Sequence, residues 1–418
     1  MQVAILIGGK GTRVKSISKK IPKPFLKINK RAIIDHQIKK LNNFNKIYIL
    51  SNEGLAKFHN TLKKRYKKRK IIIFEEKKPL GNGGCLKELE NYISEDILIL
   101  SGDLIFNIDF KKFFLFHKRN KSDISFLVHP NDHPFDSDLL EINKENKLIK
   151  FHKKPHSKKN IGNLCLSGIM IINKKILKFI KPNKFQDFSK NILPKLIKKK
   201  IKIYAYNTRE YVKDVGTPKR IKLVGKHIKT KKYINGIISK KLPAIFLDRD
   251  GVINKEHPQK HYQNPMEINK GAVSAVKTIN ENGHLVVIVT NQSAIAKGVL
   301  TINELENDHK KLEYYFGKFG AYFDRIYYCP HYPINGFKGE IKKLKKKCSW
   351  RKPNNGMLIQ AIKDLNIDVK NSYMIGDRLT DYNAAKKTKV KFMIVGNKFK
   401  INGIKNYKSL YKAVKSIF

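Results

Sequence analysis

Residues 244–252 read AIFLDRDGV, a short apolar run that ends in two aspartates on either side of an arginine. Four apolar residues bounded by a turn are typical of a buried strand. The glycine at the end allows the chain to turn sharply after the acids. We therefore expect a strand that presents Asp248 and Asp250 at its carboxyl end, where open α/β sheets place their ligands.

Two later apolar runs end in polar residues in the same way, with TNQS at 290–293 and GDR at 376–378. The hydroxyl of Thr290 can donate to a phosphoryl oxygen, and Asp377 offers a carboxylate of the kind that binds Mg²⁺. Lys352, in the stretch RKP, can neutralise a nucleophilic carboxylate and a phosphate. The first two aspartates alone are equally consistent with an ordinary turn, whereas four such groups at strand ends favour a catalytic site.

In this order, the four groups resemble the motifs of the haloacid dehalogenase (HAD) superfamily. The resemblance implies a Rossmannoid α/β domain with a minimal cap and metal-assisted phosphoryl transfer through an aspartyl phosphate. The implied catalytic residues are Asp248 as nucleophile, Asp250 as acid and base, Thr290 as phosphoryl contact and Lys352 as counter-charge.

Within the superfamily, the sequence around these motifs is most similar to D-glycero-D-manno-heptose 1,7-bisphosphate 7-phosphatases, over about residues 243–395. The resemblance implies that Mg²⁺ is held by Asp248, Asp377 and the backbone of Asp250. The implied substrate contacts are Glu256, His257, Asn291, Gln292, Ser293, Arg351 and Arg378. Histidinol-phosphate phosphatases are close relatives, so the substrate stays open between these two classes.

The same family folds a loop around Zn²⁺ with Cys-x-His followed by Cys-x-Cys. Cys329, His331 and Cys348 match three of these positions, and Trp350 stands at the fourth. Structural zinc sites are normally four-coordinate, so this set is one ligand short. Two interpretations stay open: a zinc ion completed by water or another side chain, or a metal-free loop held by packing of the tryptophan.

The first 230 or so residues alternate β-rich runs with helical stretches, which predicts an α/β domain with a largely parallel sheet. The strand candidates are Val3–Ile7, Lys46–Leu50, Ile71–Phe74, Ile97–Leu100, Ile124–Val128 and Ile169–Ile172.

Several polar motifs in this half fit a nucleoside triphosphate. Residues 8–13 read GGKGTR, where glycines admit phosphate oxygens to backbone N–H groups and Arg13 adds a charge. Lys23 stands between two prolines, which suits a positioned phosphate ligand. Asp103 and Asp214 could together hold Mg²⁺ against a triphosphate. Each motif alone is consistent with an ordinary loop.

Together, over about residues 1–220, these motifs resemble the sugar-1-phosphate nucleotidyltransferases, and most closely the heptose-1-phosphate guanylyltransferase branch. The resemblance implies a Rossmann-like (glycosyltransferase-A-like) sheet and transfer of a nucleotide to a sugar 1-phosphate with release of pyrophosphate. The implied catalytic residues are Arg13 and Lys23, and the implied Mg²⁺ ligands are Asp103 and Asp214. The implied substrate contacts are Gly8, Gly9, Gly11, Thr12, Gly81, Asn82, Gly84, Lys154 and Asn163. One departure is Lys153, which stands where the family carries glutamate and leaves the sugar open.

We predict a transferase domain over residues 1–225, a Lys-rich linker over 226–242 and a phosphatase domain over 243–418. No apolar run reaches the roughly 18 residues that crossing a bilayer requires. Four cysteines in 418 residues are too few for a disulfide framework and indicate a reducing cytoplasm.

The chain is strongly basic, with 88 Lys and Arg against 34 Asp and Glu and a net charge of +54. Such a charge is typical of nucleic-acid-binding proteins, which gives one alternative function: a basic binder on a degenerate enzyme scaffold. However, the basic residues are scattered through every segment and Asn and Ile are also abundant, which favours a general compositional bias. We therefore expect small-molecule partners: a heptose bisphosphate, a sugar 1-phosphate and a nucleoside triphosphate.

The two halves make sense as successive steps of nucleotide-activated heptose synthesis with Mg²⁺ at both sites. The phosphatase would remove the 7-phosphate, and the transferase would couple the resulting 1-phosphate to a nucleotide, with GDP-heptose as the expected product for lipopolysaccharide assembly. A second alternative pairs a histidinol-phosphate or other sugar-phosphate phosphatase with a hexose-1-phosphate nucleotidyltransferase. The sequence does not determine the oligomeric state.

Overall fold

The computed structural model describes residues 2–8, 21–156, 161–230, 232–256 and 266–418. The chain divides into two compact units. The first consists of Met1–His129, Leu140–Lys153 and Leu166–Ile237, and the second of Pro130–Leu139, Lys154–Cys165 and Ile238–Phe418.

The first unit is built on a mixed sheet. Its strands and those of two small ladders are β1 (Gln2–Leu6), β2 (Lys27–Ile28), β3 (Arg31–Ala32), β4 (Lys46–Asn52), β5 (Lys70–Glu76), β6 (Asp96–Ser101), β7 (Leu104–Asn107), β8 (Ile124–Pro130), β9 (Leu139–Ile142), β10 (Leu148–His152), β11 (Leu164–Asn173), β12 (Ile203–Asn207) and β13 (Tyr211–Asp214). The main path runs β10-β9-β11-β6-β1-β4-β5, with β8 beside β11 and β12 beside β8; β2 pairs with β3 and β7 with β13.

Helices of this part of the chain are α1 (Ile33–Lys39), α2 (Ala56–Arg65), α3 (Gly81–Gly84), α4 (Phe110–Arg119), α5 (Leu193–Lys198), α6 (Pro218–Lys229) and α7 (Lys232–Asn235). A short 3₁₀ helix, Lys23–Phe25, begins directly after Pro22. Pro24, the second residue of this helix, suits the first turn because its fixed φ matches the helix and its missing N–H is not needed there.

The centre of the sheet is parallel, since β1 pairs in parallel with both β4 and β6. Val3, Ala4 and Ile5 are fully buried, as expected for a parallel strand covered on both faces. However, β11 runs antiparallel to β6. The expectation of a largely parallel sheet therefore applies to the β5-β4-β1-β6 core, and the other flank is mixed.

The second unit contains a six-stranded sheet in the order β16-β15-β14-β17-β18-β19, in which every pair of neighbouring strands is parallel. Its strands are β14 (Ala244–Leu247), β15 (Leu285–Asn291), β16 (Arg325–Cys329), β17 (Tyr373–Gly376), β18 (Lys391–Val395) and β19 (Asn406–Tyr407). Its helices are α8 (Ala272–Glu281), α9 (Ser293–Ala296), α10 (Ile302–Lys318), α11 (Gly356–Leu365), α12 (Leu379–Thr388) and α13 (Leu410–Lys415). Because β15, β14 and β17 are neighbours, the polar residues that follow them meet at one edge.

The stretch expected to be a linker, residues 226–242, is partly helical, because α6 ends within it and α7 lies inside it. Thr217 caps the start of α6 through a hydrogen bond from the Arg220 N–H, 3.3 Å. His227 on α6 contacts the Tyr211 hydroxyl at 3.0 Å, which ties the helix to the first unit. None of the helices in the described part of the chain combines the length and the apolar composition that a membrane-spanning segment requires.

Two candidate active sites

Lys352 lies at the centre of a buried charge cluster in the second unit. Its Nζ is 2.9 Å from Asp248 Oδ1 and 2.6 Å from Asp381 Oδ1, and it donates to the Val289 carbonyl at 2.8 Å. Burial lowers the pKa of Lys352, but the two carboxylates outweigh burial and hold that pKa above its usual value. The side chain is therefore a fixed positive charge.

Three carboxylates surround this charge. Oxygens of Asp248, Asp377 and Asp381 all lie within 4.8 Å of one another. Oδ1 of Asp377 is buried and has no hydrogen-bond partner in the described part of the chain, a costly arrangement for a carboxylate. Mg²⁺ binds carboxylate oxygens of this kind, so the cluster fits a divalent cation.

The pKa of Asp248 also reflects this crowding. Burial and then the Asp381 charge raise the pKa of Asp248 to about 6, against the opposing charge of Lys352. A second positive charge near the cluster would favour the ionised, nucleophilic form of the carboxylate.

Gly251 explains how the acids after β14 and β17 approach so closely. Its φ is +86°, and a Cβ built there would lie 2.1 Å from Asp377 Oδ2. Any other residue would both strain the backbone and displace that carboxylate. The glycine of the DRDG motif is therefore a requirement of the site and not only of the turn.

Asp250 faces a different set of groups. Its Oδ1 accepts from Arg249 and Asn254, and its Oδ2 accepts from Arg249 and Gln292, at 2.8–3.1 Å. Burial opposes ionisation, but the Arg249 charge and the hydrogen bonds from Asn254 and Gln292 outweigh it and lower the pKa of Asp250. The carboxylate accepts all four bonds, as its ionised form does.

The residues at the carboxyl end of β15 support this arrangement. Gln292 donates to Thr290 Oγ1 at 2.9 Å as well as to Asp250. The Asn291 amide donates to the Lys352 carbonyl at 2.9 Å and accepts from its N–H at 3.0 Å. Asn291, predicted as a substrate contact, is therefore engaged in holding the backbone of the central lysine.

In the first unit, the two predicted Mg²⁺ ligands, Asp103 and Asp214, lie close to Gly216. The predicted phosphate ligand, Lys23, lies there too. Lys23 forms an ion pair with Asp103. A Cβ built at Gly216 would lie 2.7 Å from Asp214 Oδ2 and 3.6 Å from Lys23 Nζ, so these groups share one place. The backbone joins them too, because Val215 N–H donates to the Asp103 carbonyl at 2.9 Å.

Comparison with known proteins gives a match for each half of the chain. Residues 2–231 match the family model for nucleotidyl transferases, and residues 349–400 match that for HAD-hydrolase-like proteins. The D-glycero-beta-D-manno-heptose-1,7-bisphosphate 7-phosphatase of Haemophilus ducreyi is 41% identical over 153 residues, which are 36% of this chain and 81% of that protein. The chain belongs to both the nucleotidyl transferase and the heptose-bisphosphate phosphatase families. It is therefore a nucleotidyltransferase joined to a phosphatase.

Two further proteins illustrate the match. The 7-phosphatase of the same name from Escherichia coli strain K12 is 39% identical over 148 residues, which are 35% of this chain and 75% of that protein. The crystal structure of HddC from Yersinia pseudotuberculosis covers 54% of this chain and 99% of its own, with 26% identity and a TM-score of 0.47.

In the nucleotidyltransferase unit, only the first residue of the glycine-rich segment 8–13 belongs to the described part of the chain. Gly8 carries the carbonyl that accepts from Asn52 at 2.5 Å. The other predicted contacts in this loop, Gly9, Gly11, Thr12 and Arg13, lie outside the described residues.

The glycine-rich helix α3, Gly81–Gly84, is held by hydrogen bonds with residues from a later part of the chain. The N–H groups of Gly83 and Gly84 donate to the Gln186 carbonyl at 2.9 and 3.0 Å, and Asn82 accepts from the Phe188 N–H at 2.8 Å. Gly81 has a φ of +75°, and a Cβ there would lie 2.7 Å from the same carbonyl. These contacts fix the position of α3, and its use as a substrate contact stays a prediction.

Lys154 and Asn163 lie in segments that cluster with the second unit. Lys154 donates to the Asp136 carbonyl at 2.8 Å. Asn163 donates to the Asn131 carbonyl at 2.5 Å and accepts from its N–H at 3.2 Å. Both polar ends of Asn163 are therefore used within the protein, and sugar binding by these two residues stays a prediction.

At the rim of the phosphatase site, Glu256 forms an ion pair with Arg378. Arg351 lies over the Tyr332 ring, 4.8 Å from its centroid, and donates to the His331 carbonyl at 3.1 Å. Ser293 is the first residue of α9. His257 lies outside the described residues.

The three predicted zinc ligands do come together. The ligand atoms of Cys329, His331 and Cys348 all lie within 4.8 Å of one another. The backbone N–H of Trp350 donates to Cys348 Sγ at 3.4 Å, while its ring packs edge-on to Tyr327, 6.2 Å between centroids. Trp350 thus supplies a backbone hydrogen bond and ring packing beside these three groups.

Sequence reasoning missed a residue that supports the predicted site around Asp250. Arg249, which grips Asp250, also donates to Nε2 of His309 on α10 at 3.2 Å. Burial and the Arg249 charge lower the pKa of His309 to about 3, so the ring is neutral and can accept this bond. The pair is separated by 60 residues, and no local pattern could have linked them.

This histidine predicts a pH dependence of stability. The pKa of His309 in the folded protein lies below the ordinary 6.5. Below pH 6.5 the unfolded chain therefore binds a proton at this residue that the folded protein does not bind, and the free energy of unfolding falls. Between pH 6.5 and about 5 this group alone should cost about 2 kcal/mol of unfolding free energy.

The measurement is urea unfolding of the wild type and His309→Gln at about pH 7.5 and 5. Glutamine can still accept a hydrogen bond from Arg249 but does not titrate. On acidification, the unfolding free energy of the variant should therefore fall by about 2 kcal/mol less than that of the wild type. Equal losses in the two proteins would contradict a neutral buried His309.

Proposed function

We propose that this chain carries out two successive steps in the synthesis of a nucleotide-activated heptose. The phosphatase unit would hydrolyse D-glycero-D-manno-heptose 1,7-bisphosphate at position 7. The nucleotidyltransferase unit would then couple the resulting 1-phosphate to a nucleoside triphosphate, GTP in our proposal, with release of pyrophosphate.

The observation that carries the phosphatase proposal is the buried Lys352 bridge between Asp248 and Asp381. A nucleophilic carboxylate beside a fixed ammonium can approach a phosphoryl group without an uncompensated build-up of negative charge. The identity with 7-phosphatases, 41% over most of the relative's length, supports a heptose bisphosphate as the substrate.

In the first half-reaction, an oxygen of Asp248 attacks phosphorus, a bond forms between them, and the bond from phosphorus to the sugar oxygen breaks. Asp250 is ionised in the free protein, so it takes up a proton when the substrate binds and gives that proton to the sugar oxygen as it leaves. Thr290 and Lys352 provide a hydroxyl and a positive charge for the transferred group.

In the second half-reaction, the ionised Asp250 takes a proton from water, whose oxygen attacks phosphorus and regenerates Asp248 with release of phosphate. The four hydrogen bonds that Asp250 accepts from Arg249, Asn254 and Gln292 match this ionised role. Asp248 and Asp377 would hold Mg²⁺, which when bound offsets charge on the phosphoryl oxygens.

In the nucleotidyltransferase unit, an oxygen of the sugar 1-phosphate would attack the α-phosphorus of the triphosphate, and the bond to the pyrophosphate leaving group would break. Lys23 is placed to neutralise a phosphate, and Asp103 and Asp214 would hold Mg²⁺ beside it. The choice of GTP rests on the sequence resemblance to heptose-1-phosphate guanylyltransferases.

The product of both steps, GDP-heptose, would feed lipopolysaccharide or other surface-polysaccharide assembly. Because the second step consumes a nucleoside triphosphate, we place the reaction in the cytoplasm.

The function is tested by incubating the purified chain with heptose 1,7-bisphosphate, Mg²⁺ and each nucleoside triphosphate in turn, and identifying the products by mass. We expect heptose 1-phosphate without nucleotide and GDP-heptose with GTP. Faster phosphate release from histidinol phosphate than from the bisphosphate would refute the heptose assignment.

We also propose that Cys329, His331 and Cys348 bind one zinc ion, with a further position filled by water or another group. Metal analysis of the purified protein should give about one zinc per chain, and Cys348→Ser should lose it. A stoichiometry near zero in the wild type would favour the alternative, a metal-free loop held by Trp350.

A further inference from the structure

Lys398 contacts the predicted metal site from the surface. It follows β18, and its Nζ lies 2.5 Å from Asp377 Oδ2 and 2.5 Å from Glu256 Oε2. Its side chain is 48% exposed, whereas that of Asp377 is 3% exposed. A half-exposed ammonium thus reaches a buried carboxylate of the catalytic cluster.

The loop that carries Lys398 is anchored by its neighbours. The Asn406 amide donates to the carbonyls of Gly396 and Phe399 at 3.0 and 2.9 Å. Gly396 has a φ of +84°, and its N–H donates to the Tyr407 carbonyl at 2.9 Å. The backbone on both sides of Lys398 is therefore fixed, and its side chain alone can move between partners.

The charges of the cluster explain why this position matters. Asp248, Asp377 and Asp381 surround the buried ammonium of Lys352. Lys398 brings a second positive charge to Asp377. A divalent cation bound to Asp377 would also bring positive charge to this carboxylate. It would repel the Lys398 ammonium, which lies only a few ångströms away.

We propose that Lys398 is a counter-ion that alternates between two sites. Without metal it neutralises Asp377. When a divalent cation binds, the ammonium leaves Asp377, keeps its contact with Glu256 at the rim, and contacts the anionic part of the substrate that is not transferred. The second half of this inference rests on the proposed function, because only a bisphosphate carries a second phosphate there.

The first test measures the binding of Mn²⁺ alone to metal-free protein, followed by the EPR signal of the free ion. Lys398→Ala removes the competing charge, so its Kd should fall about three- to fivefold relative to the wild type, the range expected for a partly exposed ion pair. Lys398→Arg should keep the wild-type value. Lys400→Ala, an exposed lysine two residues further on, is the matched control and should also leave the Kd unchanged.

Unchanged or weaker Mn²⁺ binding by Lys398→Ala would refute the proposal that Lys398 and the cation compete for Asp377. A lysine with a purely structural role would give that result. This measurement needs no substrate. A wild type that released no phosphate from heptose 1,7-bisphosphate would refute the proposed function and leave the Mn²⁺ comparison valid.

The second test is steady-state hydrolysis of heptose 1,7-bisphosphate at saturating Mg²⁺. Lys398→Ala should raise KM about fivefold and change kcat by less than about twofold, as loss of a binding contact does. Lys398→Arg should restore most of the KM. An unchanged KM in Lys398→Ala would overturn the rim contact.

Discussion

Asp248→Asn is expected to release phosphate about 10⁴-fold more slowly than the wild type, the scale on which removal of a covalent nucleophile acts. An amide is a poor nucleophile, so the aspartyl phosphate would not form. Pyrophosphate formation from heptose 1-phosphate and GTP should stay at the wild-type rate, because that reaction uses residues of the other unit. Both products can be measured on one protein sample.

The variant should fold, because the buried Lys352 keeps its 2.6 Å ion pair with Asp381 and asparagine matches aspartate in shape. Asp308→Asn is the charge-matched control: Asp308 lies on α10 in a surface ion pair with Lys311, 2.9 Å, and its loss should leave both activities intact. Wild-type phosphate release by Asp248→Asn, with an unchanged unfolding temperature, would refute the nucleophile assignment.

The strand-end rule explains which features of the phosphatase could be predicted from the sequence. The apolar runs before Asp248, Thr290 and Asp377 form β14, β15 and β17, which are neighbours in the sheet. Parallel strands present their carboxyl ends at one edge, so local patterns sufficed to bring these groups together. Family membership is confirmed by the comparisons for both halves.

The supporting contacts could not be predicted, because they join residues far apart in the chain through tertiary packing. Arg249 meets His309 across 60 residues, and Lys398 meets Glu256 across 142. Neither position belongs to a periodic pattern, and lysine in particular is too common here to stand out. Such contacts depend on loop closure and not on local propensity.

Residue type was also a weak guide to substrate contact. Asn291 and Asn163 were predicted to bind substrate, yet each uses its amide to pair with a backbone peptide of its own unit. An asparagine side chain matches a peptide group in its donor and acceptor, so the same sequence position suits a ligand or the protein itself. Whether either also contacts substrate stays a prediction.

Asp214 shows the same limit in the nucleotidyltransferase unit. Its pairing with Arg220, at 2.6 and 2.8 Å to the two carboxylate oxygens, was not anticipated. Arg220 lies six residues further on, in the first turn of α6. With Lys23 on Asp103, each acid of this site has a basic partner among the described residues. The pairing of Asp214 with Arg220 could have been recognised from their separation once the start of α6 at Pro218 was known.

Asp103→Asn is expected to lower pyrophosphate formation about 100-fold or more, even at high Mg²⁺, because a ligand of the predicted metal site is lost. The amide can still accept a hydrogen bond from Lys23, so the local fold should survive. Phosphate release from heptose 1,7-bisphosphate should be unchanged, the converse of the effect of Asp248→Asn.

The Mg²⁺ dependence separates a metal ligand from an acid that merely pairs with a lysine. For a metal ligand, the residual rate of Asp103→Asn should climb only at Mg²⁺ concentrations well above those that saturate the wild type. Glu145→Gln removes one charge from an exposed position in the turn between β9 and β10 of the same unit, and should change neither rate nor Mg²⁺ dependence. If Asp103→Asn transferred nucleotide at the wild-type rate and with the wild-type Mg²⁺ requirement, Asp103 would be excluded as a metal ligand. The proposal that Asp103 and Asp214 share one cation would then be refuted.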